Sequence, residues 1–97
     1  MHVFLKIHNG FNQSVIGVSD QDCIGKTYRQ GKFCFSVSES FFKGDLIPID
    51  QALTILMKST NFNAVGKNII QALLKLEMIH AEAVIEIENT PIAISII

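Results

Sequence analysis

The chain has little net charge and little cysteine. Eight Lys and Arg residues stand against nine Asp and Glu, for a net charge of -1. No global field therefore draws it to nucleic acid or to an anionic membrane. Cys23 and Cys34 are the only cysteines, too few for a disulfide framework or a four-cysteine zinc site. A bridge between them is not expected, because nothing suggests secretion. No apolar stretch approaches the ~20 residues of a membrane span. The opening "MHVFLKIHNG" carries Lys6 and His8 within a short apolar run, which is not the pattern of a signal peptide. Repeats, linkers and low-complexity segments are missing as well. A cytoplasmic protein with no membrane partner is expected, folding without metal, disulfide or cofactor.

What is present is a core. Apolar residues make up 48% of the 97, which excludes intrinsic disorder. That length is one domain, residues 1–97, and buries about two-thirds of its unfolded surface.

Val3, Leu5 and Ile7 alternate with polar neighbours, the period of a half-buried strand. Asn9-Gly10 suits a tight I′ turn into a second strand over 14–18. Phe33, Phe35 and Val37 predict a third strand with its aromatic face inward, and Phe41, Phe42 and Gly44 an exit loop. Pro48 suits the first turn of a helix carrying Ile49, Leu53, Leu56 and Met57. Asn63 is read as N-cap of a second helix, with Val65, Ile69, Ala72, Leu73 and Leu76 as its stripe. Residues 83–88 and 92–97 alternate again, with Asn89-Thr90-Pro91 between them as the turn. The expected class is α+β: an antiparallel or mixed sheet of about five strands, in the order β-β-β-α-α-β-β, with two helices on one face.

One stretch suggests chemistry, "DCIGKTYRQGKF" over 22–33. Gly25-Lys26-Thr27 resembles the end of a phosphate-binding loop. Such a loop needs a glycine five residues before the second one, and a helix after it. Asp20 occupies the glycine's place, and a β-alternating run follows instead of a helix. Two glycines in tight turns ahead of a strand are the better reading. Lys26, Arg29 and Lys32 still form the one basic cluster, with Tyr28 placed to stack on a base between Lys26 and Arg29. These four residues are the anion or RNA contact read from the sequence.

Other constellations are weaker. His2, Lys6 and His8 share a strand face. Six residues at ~3.3 Å put the two histidines roughly 20 Å apart, too far to share a zinc ion, so a solvated face is expected. His80 follows the second helix, where a cation is favourable. Cys34, Ser36, Ser38 and Ser40 have no evident base. Glu82, Glu86 and Glu88 read as a guard against strand-edge pairing. No catalytic residue is assigned.

The stretches "CIGKTYRQGKFCFSVSESFFKG", "NAVGKNIIQALL" and "VIEIENTPIA" resemble the archaeal family called domain of unknown function 424, over nearly the whole chain. The resemblance rests on Gly25-Lys26 with Tyr28, Ser38 to Gly44, Val65-Gly66 and Pro91 to Ala93. It implies a small archaeal cytoplasmic protein, with a translation link through gene neighbourhood and no established activity. The family often has Pro-His-Ala where this chain has Pro91-Ile92-Ala93. Any chemistry of that histidine is lost here, which lowers an enzyme reading.

The function expected is a non-enzymatic binding or accessory module, associated with RNA or the translation machinery. The competing classes are a small enzyme acting on an anionic substrate and a self-associating structural protein. The latter would pair through an exposed strand over 92–97. With the first glycine and the helix both missing, magnesium-ATP and magnesium-GTP should give no heat of binding by calorimetry at physiological salt. Micromolar binding that disappears in Lys26→Ala would overturn this.

Overall fold

A computed structural model describes residues 1–95 of the chain; Ile96 and Ile97, included in the last expected strand, lie outside the described residues. Strands β1 (His2–Asn9) and β2 (Ser14–Asp20) form the first hairpin. Strands β3 (Thr27–Gln30) and β4 (Phe33–Ser36) form a separate two-stranded ribbon. One helical turn, α1 (Glu39–Phe42), leads to β5 (Asp45–Pro48) and helix α2 (Ile49–Met57). Then follow β6 (Phe62–Val65), helix α3 (Lys67–Lys75), β7 (Val84–Ile87) and β8 (Thr90–Ser95).

The main sheet has six strands in the order β5-β1-β2-β6-β8-β7, antiparallel except for the parallel pair β2–β6. Helices α2 and α3 cover one face, as expected. The core there joins Val3, Leu5, Ile16, Val18, Phe62 and Ala64 of the sheet to Ala52, Leu56, Ile69, Ile70 and Leu73 of the helices. Nine residues are too few for a helix to persist alone. Burial of Ile69, Ile70 and Leu73, at ~1.5–3 kcal/mol each, holds α3 in place.

A second, smaller core lies on the opposite face. It gathers Val65, Ile87 and Ile92 from the sheet under Cys23, Val37 and Phe42, with Tyr28, Phe35 and Phe41 packed around them. The β3–β4 ribbon and α1 therefore cover that face. Gly17 lets α1 close in: a Cβ there would lie 2.6 Å from the Phe41 carbonyl and 2.9 Å from its ring. Lys6 donates to the Ser40 carbonyl at 2.8 Å. His8 bonds the Phe41 carbonyl at 2.8 Å and stacks on its ring, centroids 4.5 Å apart. Lys6 and His8 are thus half-buried docking groups, whereas the expectation was a solvated face.

Several boundaries differ from the sequence-based expectation. The first hairpin closes through four residues, 10–13, and Asn12 takes the positive φ of 74° in place of the Asn9-Gly10 turn. The stretch after Thr27 is itself a strand. Phe41 and Phe42 form α1, and the third strand's inward aromatic face ends in Phe33, 64% exposed at the turn. Besides β3, two more strands were unanticipated. β5 is a short edge ending in proline, and β6 is central and buried on both sides, so its apolar residues do not alternate. Asn63 and Val65 belong to β6, α3 begins at Lys67, and Leu76 lies exposed beyond its end. The last turn is Glu88-Asn89, both at positive φ, as a two-residue I′ turn requires.

The C-terminal strand is also not an edge. β8 lies between β6 and β7 over its described length, so its backbone is paired on both sides, and edge-to-edge self-association through it loses its physical basis. No helix among the described residues is long and apolar enough to cross a membrane.

Gly17→Ala should cost ~1–3 kcal/mol by overpacking against Phe41, measured by urea unfolding. A change under ~0.5 kcal/mol would show that α1 is not held in this position.

Candidate functional site

The parallel pairing of β2 with β6 sets Ser19 opposite Val65. The next residue of each strand is Asp20 and Gly66, so both chains leave the sheet at the same end. There the Asp20 carboxylate accepts from the backbone N–H of Asn68 at 2.8 Å and of Ile69 at 3.0 Å. It caps α3 across 48 residues of chain, doing the work expected of Asn63. Gly66, at φ 120°, makes room: a Cβ would lie 2.4 Å from the Asp20 carboxyl carbon. Asp20 is 3% exposed. Burial pushes its carboxyl above the ordinary 3.8, while the bonds from Asn68 and Ile69 oppose the rise.

Beside this cap is an open cleft of about 390 Å³. Asp22, Cys23, Lys26 and Tyr28 form one side, Lys67 and Asn68 of α3 another, and the Glu88–Thr90 turn the third. Cys23 is buried, and burial pushes its thiol up. The Tyr28 hydroxyl interacts with the Cys23 thiol and with Thr90; burial first, and then the Cys23 contact, push it up to about 12. Both groups stay protonated near neutral pH and neither is a ready nucleophile. Among the described residues, no three His, Cys, Asp or Glu side chains converge as a metal site.

The Gly25-Lys26-Thr27 backbone is engaged. Gly25 N–H donates to the Val37 carbonyl at 2.8 Å and Lys26 N–H to the Cys23 carbonyl at 3.2 Å. These are the groups a phosphate loop must aim at its ligand. Gly25 and Gly31 both have positive φ, 80° and 59°, which fits the reading of two tight turns.

The four residues read as an anion or RNA contact do not share one surface. Cross-strand register pairs Tyr28 with Phe35 and Arg29 with Cys34. Successive residues point to opposite faces, so Tyr28 faces the small core and Arg29 faces away. The stacking of a base on Tyr28 between Lys26 and Arg29 does not fit this alternation. Lys26 borders the cleft, and Lys32 stands in the exposed turn. The ribbon is tied down by Glu88, whose carboxylate accepts from Arg29 N–H and whose own N–H donates to the Gln30 side chain at 2.9 Å. Two residues escaped the sequence reading. Phe33 was placed inward by its alternation, and Lys67 had no signal at all, since only the fold brings it beside Lys26.

A second cleft, about 340 Å³, lies by the first hairpin loop and includes His8, Gln13 and Asn61. Among its polar groups, His8 bonds the Phe41 carbonyl and Asn61 bonds Gln13.

A family model described as protein of unknown function, DUF424, matches residues 8–96. The chain belongs to the DUF424 family. A crystal structure of an uncharacterized conserved protein from Methanopyrus kandleri has a similar fold, with a TM-score of 0.81 at 18% identity, covering 97% of this chain and 90% of that one. No curated protein matches. In this DUF424 chain Gly66 N–H donates to the Pro91 carbonyl at 3.0 Å. Ile92 is 3% exposed in the small core. That position therefore serves packing here.

Because the folded Asp20 carboxyl is raised, its contribution to stability is fullest below its unfolded value and declines as pH rises through the folded one. Asp20→Asn keeps a capping oxygen and removes that titration. At about pH 7 the variant should differ by less than ~1 kcal/mol. The gap in favour of wild type should widen toward about pH 3 in urea melts. A gap that narrows with acid would contradict the raised carboxyl.

Proposed function

We propose that this protein is a non-enzymatic RNA-binding module whose contact surface is the β3–β4 ribbon. The observation that carries the reading is the ribbon's turn. It stands outside the main sheet and exposes Phe33 beside Lys32, with Arg29 exposed on the same ribbon and Lys26 at its base. An exposed aromatic ring next to Lys32 suits a single strand, since bases stack on it while cations meet phosphates, with Arg29 on the ribbon's other face. Phe33 takes the stacking role that Tyr28 had in the sequence reading. An enzyme on an anionic substrate is the weaker alternative, because burial holds both the Cys23 thiol and the Tyr28 phenol in their protonated forms. The family resemblance points to translation, so ribosomal particles are the first partner to test, in the cytoplasm.

Three phosphate contacts give a log–log salt slope of roughly -2 on a single strand. Neutralising Lys26, Arg29 and Lys32 to Gln together should remove most of it. Phe33→Ala should weaken binding by ~1–3 kcal/mol and leave the slope unchanged. Both are read by fluorescence anisotropy on an oligouridylate and by cosedimentation with ribosomal fractions. If the triple variant and Phe33→Ala both bind and sediment like wild type, the ribbon is not the contact surface.

A further inference from the structure

Resting on that reading, we infer that Gln30 selects the base stacked on Phe33, favouring the keto bases uracil and guanine over cytosine and adenine. Gln30 and Phe33 flank the Gly31-Lys32 turn and are direct cross-strand partners. The side chains of such a pair share a face, with their Cβ atoms ~5 Å apart. Phe33 is 64% exposed, and Gln30 is exposed beside it. An open ring gives affinity for any base, because every base has a π-face. Discrimination needs a polar group held in a fixed orientation at the edge of the stacked base.

Gln30 has that orientation. Its side-chain oxygen accepts from Glu88 N–H at 2.9 Å, across 58 residues of chain. The donor is a backbone amide, so the oxygen of the carboxamide must face it and the nitrogen must not. Nε2 is thereby turned away from Glu88 N–H, and it has no partner among the described residues. Holding the ribbon to the Glu88 turn asks only for an acceptor, which a carboxylate would supply more strongly. The two Nε2 hydrogens are surplus to that task.

The neighbouring polar group is an acceptor, the Glu88 carboxylate held by Arg29 N–H. A donor beside an acceptor complements a keto oxygen beside a ring N–H. Uracil and guanine present that edge. Cytosine and adenine place an amino donor where the keto oxygen would be. Gln30 therefore meets an acceptor on the first pair and a second donor on the other.

The test is fluorescence anisotropy at one salt concentration, with labelled oligouridylate and oligocytidylate of equal length. Both probes carry the same phosphates and a pyrimidine ring, so the ratio of their affinities reports the base edge. Wild type should prefer oligouridylate by about fivefold, the net worth of one hydrogen bond. Gln30→Glu keeps an acceptor for Glu88 N–H and removes the donor. Its added charge weakens both probes alike, and the preference should vanish or reverse. Gln30→Ala, which adds no charge, should also bring the ratio to one. A wild type that binds both probes equally, or prefers oligocytidylate, overturns the inference. So does a preference for oligouridylate that survives in either variant. In those cases the RNA reading still stands on Phe33→Ala and the salt slope. If wild type binds neither probe, both fail.

Discussion

The bond from Asp20 to the start of α3 fixes the arrangement on which everything else depends. It connects the end of β2 to a helix 48 residues later, and only the observed register of β2 on β6 permits it. A slip of one residue would turn Asp20 to the other face of the sheet. It would also carry Ile16 and Val18 out of the helix-side core. The cap and the core thus demand the same register. Gly66 completes the arrangement, because any side chain there would occupy the space of the carboxyl group.

That choice has a chemical consequence. A helix N-terminus is a natural seat for an external anion, but here the chain supplies its own. A ligand cannot reach the N–H groups of Asn68 and Ile69 without displacing a buried carboxylate. The same carboxylate blocks the nucleotide-loop reading twice: in sequence it replaces the first glycine, and in space it fills the nearest helix end.

The parts of the fold legible in the sequence are those whose burial is one-sided. The alternation of β1 and most of the stripe of α2 face one core, with solvent or a thin cover on the other side, so their periodicity is readable, although Met57 of that stripe is exposed and Ala52 is buried in its stead. β6 is buried on both faces, and "FNAV" has no period to read. Its loss displaced the helix start and made Asn63 a false cap, since the true cap comes from a distant strand and no local pattern reports it. The candidate site was half legible. Lys26, Arg29 and Lys32 stand out as a cluster in the chain, whereas Lys67 joins them only through tertiary structure. Phe33 follows the alternation of its strand inward, yet it sits at the turn, past the end of what it could pack against.

The two faces of the sheet carry different duties. The helix-covered face holds most of the buried aliphatic residues and sets the stability of the domain. The opposite face is closed by a short ribbon and a single helical turn around a much smaller core. Only the inner side of that ribbon is constrained, through Tyr28, Phe35 and the bonds to Glu88. Its outer side and its turn bear no packing load, so Arg29 and Lys32 are free of structural duty. A basic, aromatic-tipped ribbon on a rigid sheet can therefore change its side chains without disturbing the fold. The anchoring residues, Tyr28 above all, cannot change without moving both the ribbon and the wall of the cleft beneath it.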